Sequence, residues 1–304
     1  MKKNNKYTYI QGTQITDHAT GIRFYDFQGI RLPSVTTVLA KTKNQEYLTA
    51  WKNKVGYEKA ESIKNLSSKR GTAMHKFLEK HIQGTGYDDL TPIGQEAGPM
   101  ARKIIEMGLT PVEEYYGSEV MLHYPGLYAG STDLVCRHNG LETIIDFKQA
   151  NHPKKEEWIE DYYIQIAAYC MAHDQVYGSR IRQGVIMVCT PDLYYQEFKI
   201  QDANLRSWKH KWLKRLDEYH EIMREPTINE KELLKEFEDD SQQKELETLA
   251  VKIRNGEVPP DEVFDHFKNE AFLRCFKNKY RKEIYGMSPD YLRKIGYKKP
   301  TKKR

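Results

Sequence analysis

Apolar positions along the chain change period several times, and each change marks an element. Residues 6–15 and 22–27 alternate apolar and polar about a polar stretch at 17–21, the pattern of a β-hairpin. The segment 32–42 follows, where Ser34, after Pro33, is placed to cap a helix whose first N–H groups lack intrahelical partners. Leu48, Trp51, Val55 and Ala60 recur at helical spacing and predict one helix over 46–66, with Trp51 in the core. Met74, Phe77, Leu78 and His81 repeat that spacing in the next segment, and another helix is predicted over 92–107, ended by Gly108. Residues 115–124 read as a strand and 156–173 as a helix. The run 183–190 is almost continuously apolar, as expected for a strand covered on both faces. Pro191-Asp192 then turns the chain into alternating residues 194–200, and Asp202 precedes a long helix over 204–224.

After Pro226 the pattern shifts. Residues 230–254 alternate in charge at helical spacing, Pro259-Pro260 interrupts them, and 261–285 form a second amphipathic stretch. Basic residues then dominate to Arg304. The predicted organisation is a core at 1–225 and a helical, basic appendage at 226–304, its last residues a mobile arm. Lys209, Lys211, Lys214 and Arg215 give the 204–224 helix a basic face, which reads as a solvated surface.

The chemistry concentrates in residues 126–150. Two runs rich in β-formers, 127–137 and 141–149, flank Asn139-Gly140. Asn-Gly in that setting signals a two-residue hairpin, because both central residues of a type I′ turn need positive φ. That turn puts His138 opposite Leu141 and, continuing, Val135 opposite Ile144, Leu134 opposite Ile145 and Asp133 opposite Asp146. Two carboxylates would then face each other with Cβ atoms roughly 5 Å apart. Lys148 would share a face with Asp146, since side chains repeat every second residue. Like charges so placed need a shared proton or a cation, and oxygen ligands suit Mg²⁺ or Mn²⁺.

Composition narrows the setting. The chain has 304 residues, 30% of them charged, and a net charge of +5. No apolar run approaches the roughly 20 residues of a membrane span. The first residues, MKKNNKYTYIQGTQ, have neither a signal peptide's apolar run nor the Arg-rich character of a transit segment. Cys136, Cys170, Cys189 and Cys275 are scattered without paired spacing, which predicts reduced thiols and argues against an iron–sulfur cluster. Twenty-one tyrosines offer surfaces on which unpaired bases could stack.

Asp133, then Asp146, Phe147 and Lys148, resembles the core of the PD-(D/E)XK nucleases, with Thr132 where the superfamily name has proline. Arg70-Gly71-Thr72-x-x-His75-x-x-Leu78-Glu79 resembles the first motif of the RecB-type members, and Gln165-x-x-x-Tyr169 resembles their later Gln/Tyr motif. Leu32-Pro-Ser-Val-Thr-Thr-Val-Leu39, followed by Trp51-Lys52, is similar to the mitochondrial genome maintenance exonucleases and their bacterial and phage relatives. The likeness covers roughly residues 30–200.

It implies an α/β, restriction-endonuclease-like fold: a mixed central β-sheet flanked by helices. It implies one or two Mg²⁺ or Mn²⁺ ions held by His75, Asp133, Asp146 and the Phe147 carbonyl, with Lys148 beside the attacking water. Arg70, Ser131, Gln165 and Tyr169 would contact substrate. Glu79 could orient or supplement His75; Glu119, on the 115–124 strand, could reach the metal but is expected at the rim. The implied activity is exonucleolytic hydrolysis of DNA, from single-stranded ends, in replication, recombination or repair, with partner proteins met through the appendage. Lacking a transit segment, such a member would be bacterial or phage-encoded and act in a bacterial cytoplasm. A structure-selective endonuclease and a non-catalytic DNA-binding subunit are the competing expectations.

Overall fold

The computed structural model describes residues 1–17, 22–44 and 46–223. The appendage expected at 226–304, with Cys275, lies outside the described residues, as does most of the 17–21 turn. In chain order the elements are β1 (Lys2–Lys3), β2 (Thr13–Thr16), β3 (Arg23–Phe27), β4 (Ile30–Pro33), α1 (Val35–Thr42), α2 (Glu46–Val55), α3 (Tyr57–Ile82), α4 (Pro92–Gly108), β5 (Val112–Tyr124), β6 (Tyr128–His138), β7 (Leu141–Gln149), α5 (Glu160–Tyr177), β8 (Gln183–Cys189), β9 (Tyr195–Gln201) and α6 (Asp202–Met223).

Six strands form the central sheet in the order β1-β5-β6-β7-β8-β9. β5, β6 and β7 run antiparallel as a meander, whereas β7 and β8 are parallel and joined through α5. This crossover is what a parallel pair requires, and it explains why every residue of β8 is buried. Successive residues of β7 serve opposite cores. Ile144 packs with α5 and α6, together with Val135, Ile186 and Val188. Ile145 and Phe147 pack with α3 and α4, against Met74, Leu78, Met100 and Ile104. The mixed sheet flanked by helices is therefore the architecture the resemblance implied.

Several boundaries follow directly from local chemistry. Ser34 caps α1, its hydroxyl accepting the Thr37 N–H at 2.9 Å. Asn139 and Gly140 both have positive φ, 49° and 77°, as a type I′ turn demands. Other expectations need correction. The helix predicted over 46–66 breaks at Gly56, whose φ of 88° is open to glycine at little cost, and α3 begins anew after it. The buried stripe of α3 runs Met74, Leu78, Ile82, while His81 is exposed. Of the 6–15 segment only residues 13–15 fall in a strand, as part of β2 paired with β3. Tyr7 and Tyr9 instead lie against His173 and Tyr177 of α5. The small sheet β2-β3-β4 packs through Tyr25, Phe27 and Leu32 onto Ala129 and Met121 of the β5–β6 hairpin.

Candidate active site

The register of β6 on β7 runs as the turn dictates, from His138↔Leu141 through Leu134↔Ile145. At the next rung the ladder changes character. The Asp133 carboxylate accepts the Phe147 N–H at 2.5 Å, so a side chain takes the place of a backbone partner. On the other flank Ser118 pairs with Leu134 and Val120 with Thr132, which puts Glu119 opposite Asp133. Extending the β6–β7 register by that one rung brings Asp146 into the same row. By this register Glu119, Asp133 and Asp146 fall in one row on three adjacent strands, the β6–β7 backbone pairing itself ending at Leu134 and Ile145. Glu119 has φ 51°, a left-handed conformation that is unfavourable for a residue with a Cβ. Of the two places expected for Glu119, at the metal or at the rim, the structure puts its carboxylate beside His75 and Asp133.

Helix α3 supplies the fourth group. Its Met74 and Leu78 are fully buried under the sheet, and His75 beside them reaches Asp133, with Nδ1 3.2 Å from Oδ1. Ligand atoms of His75, Glu119 and Asp133 all lie within 4.8 Å of one another. Asp146 is not in that group; it is ion-paired with Lys148, whose Nζ also stands 5.2 Å from the Tyr162 ring.

The charges are strongly coupled. Burial opposes protonation of His75, but Asp133 outweighs it and lifts the imidazole to about 9. Burial would raise Asp133, yet His75 holds it below the ordinary carboxylate range. Glu119 is pushed up to about 7, by burial first and by Asp133 second. Burial keeps Asp146 high although Lys148 pulls the other way. For Lys148 the two aspartates overcome burial and leave the amine above its usual value. Three carboxylates with one lysine and one imidazole form a set rich in oxygen donors, and it fits a hard divalent cation with an imidazole in its shell.

The remaining predicted residues divide. Gln165 and Tyr169, both buried, meet each other, the Gln165 amide donating to the Tyr169 hydroxyl at 3.0 Å. The Tyr169 ring lies against Gly130 so closely that a Cβ there would fall 2.6 Å from it. Burial, then the Asp146 charge, holds this phenol well above its ordinary value, which ties it electrostatically to the acidic row. Ser131 is half-buried opposite Met121. Glu79 is held by Lys76 at 2.8 Å and by Gln83 at 3.0 Å.

Arg70, expected at the substrate, is turned inward and only 6% exposed. Its guanidinium binds Glu96 of α4 at 2.8 Å and Asn151 after β7 at 3.2 Å. It ties α3 to its neighbours and is not open to a phosphate in this structure. A groove of about 1190 Å³ opens over the site, lined by His75, Lys76, Glu79, Glu119, Phe147 and Lys148 among others.

A family model for the PD-(D/E)XK nuclease superfamily matches residues 113–275, more than half of the chain and all of the strands that carry the acidic row. The chain belongs to the PD-(D/E)XK nuclease superfamily. Its fold is accordingly the restriction-endonuclease-like α/β fold. Members of this superfamily use divalent metals, consistent with the His75, Glu119 and Asp133 group. Among solved structures the chain is similar to SSO0001, at 15% identity and a TM-score of 0.27, covering 44% of this chain and 60% of that one. A protein from Eubacterium rectale provisionally named an exonuclease gives 13% identity and a TM-score of 0.36, with 62% and 69% covered. An alkaline exonuclease from Laribacter hongkongensis gives 16% and 0.24, with 48% and 78% covered. The chain thus spans about 60% of the length of the first of these. No curated protein matches the chain. Among the described residues, no helix is long and apolar enough to cross a membrane.

Proposed function

We propose that this chain is a divalent-cation-dependent deoxyribonuclease that degrades DNA from single-stranded ends. The observation that carries the proposal is the row Glu119–Asp133–Asp146, with His75 on Asp133 and Lys148 on Asp146. In this reading His75, Asp133, Asp146 and the Phe147 carbonyl hold one or two Mg²⁺ or Mn²⁺ ions, and Glu119 joins that set. When bound, such an ion lowers the pKa of water and neutralises charge on the transferring phosphate.

The protein's own groups do the rest. Asp133 fixes the β7 backbone at Phe147 through its bond to that N–H, which sets the positions of Asp146 and Lys148 on either side. Lys148, charged and paired with Asp146, orients the attacking water and offers positive charge to the phosphoryl oxygens. Gln165 and Tyr169, fixed by each other and by Gly130, present an amide and a phenol beside the acids.

A preference for single strands is supported by aromatic rings with lysines over them close in sequence to the site. Tyr162 lies under Lys148, and Trp158, 60% exposed, lies 5.2 Å from Lys155. Base–aromatic stacking with phosphate contacts is sequence-tolerant, and no base-reading module was found in the sequence. We assign the work to replication, recombination or repair in a bacterial cytoplasm, from a bacterial or phage gene. Three free, buried cysteines, Cys136, Cys170 and Cys189, suit a reducing compartment.

The test is cleavage of 5′- and 3′-labelled linear strands and of a circular single strand, with Mg²⁺, Mn²⁺ or EDTA. Cation-dependent loss of linear DNA with the circle intact is expected. Cutting of the circle would replace this reading by an endonuclease, and no cleavage with either cation would overturn it.

A further inference from the structure

The small sheet makes no part of the acidic row, yet it is laid along it. Phe27 of β3 stacks on His123 of β5 with ring centroids 4.2 Å apart. Two residues back along β3, Tyr25 packs in the cluster that contains Met121 and Ala129. Arg23 is the next residue on that face of β3, and Glu119 lies two residues before Met121 on β5. The electrostatics agree with that placement. Burial pushes the Tyr25 hydroxyl up, the neighbouring Arg23 pulls it back, and Glu119 adds a smaller push upward.

Arg23 is exposed, but its backbone is pinned. Its N–H donates to Thr37 Oγ1 at 3.2 Å, and its carbonyl accepts from Thr37 Oγ1 at 3.0 Å and from the Ser34 N–H at 3.1 Å. The guanidinium reaches the Tyr25 hydroxyl and forms no ion pair with any described residue. A fixed stem carrying a guanidinium held by a phenol and without an anionic partner among the described residues is suited to a phosphate, which an arginine binds through two parallel hydrogen bonds.

We propose that Arg23 grips a backbone phosphate of the substrate strand at the Glu119 end of the acidic row, opposite the Lys148 end, with Tyr25 positioning the guanidinium. This rests on the nuclease reading above and adds to it a second anchor on the strand. The strand would then run across the row, held at both ends.

The test compares wild type with Arg23→Gln, Arg23→Lys and Arg31→Gln. Arg31 is the control. It lies over the Phe24 ring at 4.5 Å, on the opposite face of the small sheet from Tyr25. Binding of a fluorescent linear single strand is measured by anisotropy in Ca²⁺ at several salt concentrations, and cleavage in Mg²⁺ gives kcat and KM. For Arg23→Gln the expected result is a Kd and KM raised about tenfold, kcat within about threefold, and a salt slope shallower by about 0.7, the value for one lost phosphate contact on a single strand. Arg23→Lys should keep the slope but lose much of the affinity, and Arg31→Gln should match wild type. An unchanged Kd and slope for Arg23→Gln would overturn the assignment, as would an equal loss in Arg31→Gln, which would mark a general charge effect. A wild-type chain that binds DNA but never cleaves it strikes the nuclease reading instead.

Discussion

Replacing Glu119 by glutamine should make the protein more stable without metal and less stable with it. Burial and then Asp133 raise this carboxyl from an ordinary 4.5 to about 7. The charged form therefore carries a cost of about 3 kcal/mol before screening. Glu119 is more than a third exposed, so solvent reduces this to about 1–2 kcal/mol. The sign follows from linkage. Between about 4.5 and 7 the folded state keeps a proton that the unfolded chain has released, so this group's contribution falls as pH rises through that window. In EDTA at pH 8, Glu119→Gln should melt about 3–5 °C above wild type, given about 2–4 °C per kcal/mol for a domain of this size. Adding Mn²⁺ should reverse the order. A ligand at a hundred times its Kd contributes about 2.7 kcal/mol, and an amide in place of a carboxylate forfeits part of it. Differential scanning calorimetry at both conditions reads the crossing directly. A variant that melts at or below wild type in EDTA, or that gains as much from Mn²⁺ as wild type does, would refute this account of Glu119.

Other expectations are simpler to read. Lys148→Ala should lose cleavage while DNA binding in Ca²⁺ persists, and Asp146→Asn should lose Mg²⁺-dependent cleavage; normal turnover in either would remove that residue from the mechanism. Arg70→Lys should impair folding and cleavage nearly as much as Arg70→Ala, because the role is to bridge Glu96 and Asn151 at once. A phosphate contact would instead be largely rescued by lysine, and a thermal melt beside the nuclease assay separates the two. His173 is fully buried, its ring nitrogens meeting Tyr9 at 3.2 Å and Ser179 at 2.6 Å, and burial depresses it to about 4. The unfolded chain takes up a proton near 6.5 that the folded chain refuses until about 4, so stability should drop as pH falls through that window. The loss approaches about 3 kcal/mol. Urea titrations of His173→Gln should show a shallower pH dependence than wild type; parallel curves would exclude His173 as the source.

What could be read from the chain alone divides along physical lines. The β6–β7 register was legible because Asn139-Gly140 admits few turn geometries, and one fixed turn determines every later pair. Ser34 was legible because capping is a contact between near neighbours. Glu119 was legible only in part: its strand was set beside the site, but a positive φ in a residue with a side chain leaves no trace in the sequence to choose the metal over the rim. The cue that was available is its place opposite Asp133, which becomes visible once β5 is set beside β6 in register. Arg70 was placed at the substrate by its likeness to the RecB-type motif, which carries no sign of which way the side chain turns. Its partners Glu96 and Asn151 lie 26 and 81 residues away in sequence. His81 was counted into a stripe that in fact steps by four from Met74 to Leu78 to Ile82, as a helix held against a sheet along one edge will do.

The left-handed backbone at Glu119 also alters how deletion experiments there should be interpreted. Alanine and glycine both discard the carboxylate, but only glycine adopts that geometry freely, a difference of about 1 kcal/mol. If the two truncations cleave equally poorly while the glycine variant melts higher, the fold is holding this residue in a contorted posture for the sake of its acid group. The comparison turns a quirk of one dihedral angle into a gauge of how much resilience the molecule gives up to keep a ligand in place.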